Sequence, residues 1–287
     1  MAVVTFVSLL GWADRTRGEP SGGPDHFATV QRRLIRDGFD RSLVRALYSR
    51  PEVAFDQKGV TAYFLLREAM LNYDQFLSKS SIDHAIDYLS KYGKALQEAQ
   101  KLYGVEAEVI TAIILVESRL GTSIGKRLVL NTLSSLAALD SKVNRGMLWH
   151  TYVIHKAPRS RHQFDTWAFR KSAWAYCELK AYLQYVKAQN VDPFSAHGSR
   201  AGALGIAQFM PSSAIQFAQD GNKDGQINLY QHADAIESIA NYLKQHGWRP
   251  GLSRHEAFRI LLCYNCSKYY AETILKVAER LSRRSLK

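Results

Sequence analysis

The sequence EAEVITAIILVESRLG, residues 106–121, predicts a strongly apolar helix that is stopped by Gly121. Most other segments repeat apolar residues every three to four positions and break at Gly, Pro and Asn clusters, so a mainly α fold is predicted. Short extended pieces are possible at residues 53–55 and 128–130. Helices are expected near residues 26–37, 41–48, 82–103, 106–119, 131–139, 165–187, 212–219, 232–246, 254–262 and 269–283.

Glu117 is the one ionisable group that closes this hydrophobic run. Burial beside Ile113, Ile114 and Val116 would disfavour the carboxylate form and raise its pKa, which suits a general acid that works near neutrality. The alternative is a surface carboxylate in the last turn, paired with Arg119 or Lys126. The helix alone does not decide between these two interpretations.

Composition allows one large helical domain with a satellite lobe, or two modest domains, because the chain has 287 residues and is 46% hydrophobic. Lys and Arg outnumber Asp and Glu by 38 to 26, a net charge of +12, which favours an anionic partner such as nucleic acid, a membrane surface or an acidic polymer. Basic residues near the C-terminus are expected to form a solvated helix end. They are Arg280, Arg283, Arg284 and Lys287.

The N-terminal residues 1–13 form an apolar stretch of signal-peptide length, with small residues at Gly11 and Ala13. A signal peptide usually begins with basic residues, and none precede this stretch. The stretch could therefore pack in the core instead of directing export of the protein. Residues 14–25 are rich in Gly, Pro and charge and are expected to form a linker. No later segment reaches transmembrane length.

The three cysteines cannot all pair within the chain. Cys263 and Cys266 have the spacing of a redox or metal motif, but their apolar helical context favours two small core residues. Residues 78–81 and the basic residues 142–162 are candidate lobe boundaries. The second is expected to be a surface insertion, whereas the tryptophans of this region, Trp149, Trp167 and Trp174, are expected to pack in the core.

A glycine-rich sequence, GSRAGALGIAQFMPSS, occupies residues 198–213. Its three glycines within eight residues allow close backbone approach, and Gln208 supplies both a donor and an acceptor. Pro211 suits a helix start. Phosphate binding is disfavoured, because the motif lacks both the P-loop Lys-Ser/Thr pair and the dinucleotide spacing.

A third motif, DGNKDGQIN at residues 220–228, has the spacing of a calcium loop. Asp220, Asn222 and Asp224 provide side-chain oxygens at positions 1, 3 and 5, and Gln226 offers its backbone carbonyl. Position 12 is Gln231, where a bidentate Glu is expected. An empty turn is the alternative, and a bound calcium ion would be structural.

Three motifs in this order resemble the B-type lytic murein transglycosylases, whose domain is similar to goose-type lysozyme. The motifs are VESRLG at residues 116–121, AGALGIAQFMPSS at residues 201–213 and CYN at residues 263–265. The resemblance runs from about Phe27 to the C-terminus. It implies a lysozyme-like catalytic core at residues 104–287, with an additional helical lobe at residues 26–103.

The resemblance also implies the roles of individual residues. Glu117 matches the sole catalytic acid/base, and Asp234 matches an acid that closes an EF-hand-like calcium loop longer than usual. The positions matching the glycan groove are Ser199, Gln208, Tyr242, Tyr264, Asn265 and Tyr270. Tyrosine suits sugars, which present both apolar faces and hydroxyl edges, although core packing is the alternative for each tyrosine.

The implied reaction is cleavage of peptidoglycan between N-acetylmuramic acid and N-acetylglucosamine, with a 1,6-anhydromuramyl product. A lysozyme-like hydrolase is the alternative enzyme, with Asp140, Asp165 and Asp192 as candidate second carboxylates. A non-catalytic peptidoglycan-binding scaffold is the alternative outside the enzymes, and a nucleic-acid binder ranks third. We expect a periplasmic protein whose partners are glycan strands and cell-wall synthesis or division proteins.

Overall fold

The computed structural model describes residues 25–66, 72–154 and 160–285, so the predicted signal segment at residues 1–13 and all but the last residue of the predicted linker lie outside the described residues. The described chain is mainly helical, as predicted. Its helices are α1 (Ala28–Arg36), α2 (Arg41–Tyr48), α3 (Gln57–Leu65), α4 (Lys79–Lys91), α5 (Gly93–Tyr103), α6 (Ala107–Ser118), α7 (Val129–Ala137), α8 (Lys142–Leu148), α9 (Arg161–Ala188), α10 (Pro211–Phe217), α11 (His232–Gln245), α12 (Arg254–Tyr264) and α13 (Lys268–Ser285).

Helix α6 lies at the centre of one group of helices, because it is apolar on nearly every side. It contacts α4, α5, α11 and α13. Its residues from Val109 to Leu115 are all buried. Only the two ends of α6 are partly exposed, so a polar side chain at its C-terminal end is held by a rigid element.

A second group of helices forms around α7, which is buried along its whole length and packs on α9 and α3. Between α6 and α7 runs the short strand β1 (Arg127–Leu128), which pairs antiparallel with β2 (His197–Gly198). This pairing brings the glycine-rich loop that follows β2 next to the chain leaving α6. Of the predicted extended residues 128–130, only Leu128 is in a strand.

One hydrophobic core runs through both groups of helices, from Phe27 in the N-terminal part to Leu281 in α13. The division into a lobe at residues 26–103 and a core at residues 104–287 stays a prediction. In the described ranges, every helix is too short or too polar to cross a membrane.

The observed helices differ from the prediction in two places. The single helix predicted over residues 82–103 is wrong: α4 ends at Lys91 and α5 begins at Gly93, because Tyr92 leaves helical geometry and stacks on the ring of His232 at 4.3 Å. Helix α3 is missing from the prediction. It begins where the Asp56 side chain accepts the Gly59 N–H, a capping contact that stabilises a helix start.

The surface insertion at residues 142–162 stays a prediction, since most of its described residues are at least partly exposed. Residues 142–153 form α8 and a π-helix, and Leu148 and Val153 are fully buried. The three tryptophans of the wider region pack partly buried against the core, as expected.

The prediction that Cys263 and Cys266 are core residues is wrong. Both are exposed, because the chain turns outward where α12 ends.

Candidate active site

Glu117 lies in the last turn of α6, where the chain leaves the helix abruptly. The three residues that follow α6 have left-handed backbone angles: φ is 49° at Arg119, 59° at Leu120 and 86° at Gly121. The Gly121 N–H donates to Oγ of Ser118 at 3.1 Å, which stabilises the reversal. Glu117 is therefore held at the end of α6, directly before the chain reverses direction.

Burial raises the pKa of Glu117 from 4.5 to about 7, because its carboxyl group is enclosed by protein although the residue keeps some exposed surface. The nearby Tyr270 hydroxyl opposes this rise in the pKa. No cation of the described residues contributes to it. The guanidinium of Arg119 instead donates to Oε1 of Gln75. Glu117 is therefore not the surface ion-pair partner that the sequence left open.

Aromatic rings from three further helices surround this carboxylate: Tyr264 in α12 and Tyr270 in α13 lie beside it, and Tyr242 in α11 packs on Tyr264. The Tyr264 ring stacks on the Tyr270 ring, with centroids 6.3 Å apart, and meets the Tyr242 ring edge-on at 4.9 Å. Tyr264 is partly exposed, whereas Tyr242 is 8% and Tyr270 only 1% exposed. Tyr264 can therefore face a ligand directly, and the other two rings support it from behind.

The Tyr270 hydroxyl is buried and makes no hydrogen bond of normal geometry with the described residues. Burial and the charge of Glu117 raise its pKa well above the ordinary value, so it remains a hydrogen donor. An unsatisfied buried hydroxyl is costly, and its charged neighbour is Glu117. Tyr73 also lies within electrostatic reach of Tyr270. The sequence interpretation missed Tyr73, because no motif includes it.

The glycine-rich loop requires unusual backbone angles. Gly205 has φ of 63°, and a Cβ added there would overlap the carbonyl oxygen of Leu229. Gln208 is itself left-handed, with φ of 51°. Its Nε2 donates to the carbonyls of Gly205 at 2.7 Å and Ile124 at 3.2 Å. Its Oε1 makes no hydrogen bond within the described part of the chain and can accept one from a ligand.

One hydrogen bond joins the loop to the aromatic rings. The Tyr264 hydroxyl donates to the carbonyl of Ala207 at 2.6 Å, directly before Gln208. The structure thus brings together Glu117, the loop at Gln208, and the pair Tyr264 and Tyr270, which come from three separate parts of the sequence.

The remaining predicted groove residues have structural partners. Oγ of Ser199 accepts the N–H groups of Ala201 and Ala203, so it shapes the loop, and no contact joins it to Glu117 within the described ranges. Asn265 ends α12, and its Oδ1 accepts the Ser267 N–H at 3.2 Å. Tyr242 donates its hydroxyl to the carbonyl of Cys263.

Glu178 is a buried carboxylate that the sequence interpretation missed. It projects from α9 and accepts both the backbone N–H and the hydroxyl of Ser212, at 3.0 and 2.8 Å. These contacts hold the start of α10, where the glycine-rich loop ends. The sequence signal that could have revealed it is a single carboxylate on the apolar face of a long helix.

The predicted calcium loop is closed by hydrogen bonds of its own. Asp220 accepts the N–H groups of Asp224 and Gly225. The fully buried Asp234 accepts those of Gly221, Asn222 and Asn228. Gln226 donates its N–H to Asp224. Among the described residues, no three His, Cys, Asp or Glu side chains are grouped closely enough to hold a metal ion.

Comparisons with known proteins are consistent with this geometry. The profile of the transglycosylase SLT domain family matches residues 24–257, which is most of the chain. The chain is 31% identical over 268 residues to the membrane-bound lytic murein transglycosylase B of Escherichia coli (strain K12), covering 83% of this chain. The match spans 66% of the length of that relative.

Solved structures share the fold. The soluble lytic transglycosylase SltB1 from Pseudomonas aeruginosa has a TM-score of 0.73 and 25% identity, over 91% of this chain and 99% of that one. The Escherichia coli lytic transglycosylase SLT35, solved in complex with calcium, has a TM-score of 0.70 and 24% identity, over 92% and 94% of the two chains. The second likeness concerns the fold alone.

Proposed function

Since the chain belongs to the transglycosylase SLT domain family, we propose that it is a lytic murein transglycosylase. Its substrate would be the β-1,4 bond between N-acetylmuramic acid and N-acetylglucosamine in peptidoglycan. Its product would be a 1,6-anhydromuramyl end. The observation that carries the proposal is a single enclosed carboxylate, Glu117, beside tyrosines and a glycine-rich loop.

Glu117 would act first as an acid and then as a base. With a pKa of about 7 it is substantially protonated near neutrality and can give its proton to the glycosidic oxygen. The resulting carboxylate then takes the proton from the muramyl 6-hydroxyl while that oxygen attacks C1 and closes the anhydro ring. The nucleophile belongs to the substrate and is already held close, so one carboxylate is enough.

Hydrolysis is the alternative reaction, and in most glycosidases it uses a second carboxylate about 5 to 9.5 Å from the first. No other carboxylate contributes to the pKa of Glu117 within the described residues. The candidates from the sequence are engaged elsewhere: Asp140 pairs with Arg33, Asp165 with Arg145 and Arg161, and Asp192 with Arg50.

Some of the groove residues would contact the sugar, and the others would hold these residues in position. Tyr264 and the Oε1 of Gln208 would meet the sugar, because they are the partly exposed groups on the two sides of the Tyr264–Ala207 hydrogen bond. Ser199 and Asn265 are also partly exposed and would contribute at the ends of the loop and of α12. Tyr242 and Tyr270 would hold Tyr264 and Glu117 in position.

The test is release of anhydromuropeptides from purified sacculi by Glu117→Gln. Loss of the titrating group should lower the rate by about 10²- to 10⁴-fold, the usual contribution of general acid–base catalysis. Glu98→Gln, on the exposed face of α5, is the matched control and should keep full activity. Retained turnover by a folded Glu117→Gln protein would remove Glu117 from the mechanism.

We also propose that the loop at residues 220–234 holds a structural calcium ion, as the spacing predicts. Asp220 and Asp224 in the loop and Asp234 at the start of α11 supply three carboxylates, which would have to draw closer together around an ion. Burial and the charge of Asp220 raise the pKa of Asp234, and a divalent cation would relieve both effects. Asp220, Asn222, Asp224 and the Gln226 carbonyl would face the ion, with Asp234 closing the loop. The fold relative SLT35 was itself solved in complex with calcium.

Calorimetry with calcium chloride tests this site without any activity assay. Calcium should release heat and raise the melting temperature, whereas Asp224→Asn should weaken both effects. Absence of binding heat together with an unchanged melting temperature would reject the site.

The proposed compartment is the periplasm, because the proposed substrate lies there. Cell-wall synthesis or division proteins remain the proposed protein partners. Fractionation of cells producing the full chain tests the location, and recovery with the cytosolic fraction would contradict it.

A further inference from the structure

Two exposed thiols flank Tyr264 and Asn265, the residues at which α12 ends. Cys263 is in the last turn of α12, Cys266 follows the helix, and Tyr264 and Asn265 lie between them. Both cysteines are free, as is the distant and exposed Cys177 on α9. The proposed glycan cleavage uses neither thiol.

The backbone angles between the two cysteines favour a tight turn. Tyr264 is helical, and Asn265 is extended, with φ of −147° and ψ of 122°. A helical residue followed by an extended one is the pattern of a type VIII turn, whose outer Cα atoms lie within about 7 Å. Cys263 and Cys266 occupy those outer positions. Disulfides join Cα atoms about 4.4 to 6.8 Å apart, so a small tightening of this turn is enough to close one.

Tyr242 lies near both cysteines. Its hydroxyl donates to the carbonyl of Cys263 at 2.7 Å. Both Cys263 and Cys266 lie within electrostatic reach of that hydroxyl and contribute to raising the pKa of Tyr242 to about 12. Cys263 Sγ contacts the carbonyl of Arg259 at 3.7 Å, so it must swing away from the helix to reach Cys266.

We propose that Cys263 and Cys266 form a reversible disulfide with each other, which tightens the turn after α12 and lowers the activity of the enzyme. The effect on activity rests on the proposed function. The formation of the disulfide does not.

The chemistry is thiol–disulfide exchange with a small-molecule disulfide such as oxidised glutathione. One cysteine thiolate attacks a sulfur of the donor, the donor S–S bond breaks, and the first glutathione leaves as a thiolate that takes up a proton. The second cysteine thiolate then attacks the mixed disulfide, forms the Cys263–Cys266 bond and expels the second glutathione. Two protein thiols are oxidised, and one donor disulfide is reduced to two thiols.

Consecutive contacts connect this turn with Glu117. Asn265 Oδ1 accepts the Ser267 N–H, and Ser267 Oγ in turn accepts the Tyr270 N–H at 3.1 Å at the start of α13. On the other side, the Tyr264 hydroxyl holds the glycine-rich loop. Tightening the turn displaces both tyrosines. A misplacement of about 1 Å near reacting groups can lower a rate by about a hundredfold, and we expect a loss of about tenfold or more.

The experiment oxidises the purified full chain with glutathione buffers of increasing oxidised fraction and counts the free thiols by alkylation and intact mass. We expect three alkylated thiols in the reduced protein and one, Cys177, in the oxidised protein, which carries no glutathione. Activity on sacculi should fall in parallel and return with a thiol reductant. Cys263→Ser and Cys266→Ser should keep the reduced-state activity and resist inactivation, whereas Cys177→Ser should be inactivated like the parent protein.

Three thiols under every buffer, or stable glutathione adducts on Cys263 or Cys266, would overturn the disulfide. A closed disulfide with unchanged activity would overturn its effect on the enzyme. A reduced protein without activity on sacculi would instead refute the proposed function, and the thiol count would still decide whether the disulfide forms.

Discussion

Replacing Glu117 by Gln should stabilise the protein at alkaline pH and leave its stability almost unchanged at acidic pH. Gln keeps the size of the side chain and removes the ionisable group. Burial raises the pKa of Glu117 from 4.5 to about 7, and only Tyr270 opposes it. The folded protein therefore holds this proton more tightly than the unfolded chain does.

The sign and size follow from linkage. Below a pH of 4.5, the pKa of Glu117 in the unfolded chain, the carboxyl group is protonated in both the folded and the unfolded state. Folding then buries no charge. As the pH rises through the folded pKa of about 7, the folded state loses stability and then remains at the lower level. A difference of about 2.5 pKa units at 1.36 kcal/mol each corresponds to about 3 kcal/mol. Partial exposure of the residue makes this an upper value.

Urea unfolding followed by circular dichroism measures the effect, at about pH 5 and about pH 8 with calcium held constant. The free energy of unfolding of Glu117→Gln should exceed that of the parent protein by about 1 to 3 kcal/mol more at the higher pH than at the lower. Glu98→Gln is the control, because its side chain is exposed on α5. An equal difference at both pH values would show that Glu117 is solvated and not a tuned acid.

Tyr270→Phe removes the hydroxyl that lowers the pKa of Glu117, so the alkaline limb of the pH profile of kcat/KM should move to higher pH. An unmoved limb would show that Tyr270 does not influence the ionisation of Glu117. Gly205→Ala should lower the free energy of unfolding by about 2 kcal/mol or more, because a Cβ there overlaps the carbonyl of Leu229 at a left-handed position. Gly225→Ala, left-handed but in open space, should cost less, about 1 kcal/mol, in the same denaturant titration. Equal losses would contradict the steric argument.

The sequence predicted helix α6 well, because its apolar run is long and ends at a glycine. It also placed the glycine-rich loop, and the close backbone approach expected there is seen at Gly198 and Gly205, where a Cβ would overlap backbone carbonyls. Both features depend on neighbours along the chain, which a sequence shows directly. The prediction failed at Tyr92, where the apolar period continues through a break that a distant ring, His232, stabilises.

Contacts between distant parts of the chain could not be read from the sequence. Tyr270 lies beside Glu117 only because α13 packs along α6, and the resemblance to a family supplied that residue without its geometry. Glu178 and Tyr73 carry no motif and emerged only from packing. Cys263 and Cys266 were misjudged because their neighbours Leu261 and Leu262 are apolar, while the end of α12 directs the thiols outward.

Digestion of sacculi in water labelled with heavy oxygen, followed by mass spectrometry of the muropeptides, tests most directly whether Glu117 works with the substrate's own hydroxyl. The new muramyl ends should carry no label and should be lighter than hydrolysed ends by one water. Incorporation of labelled oxygen at those ends would show that water is the nucleophile and would contradict the single-carboxylate mechanism.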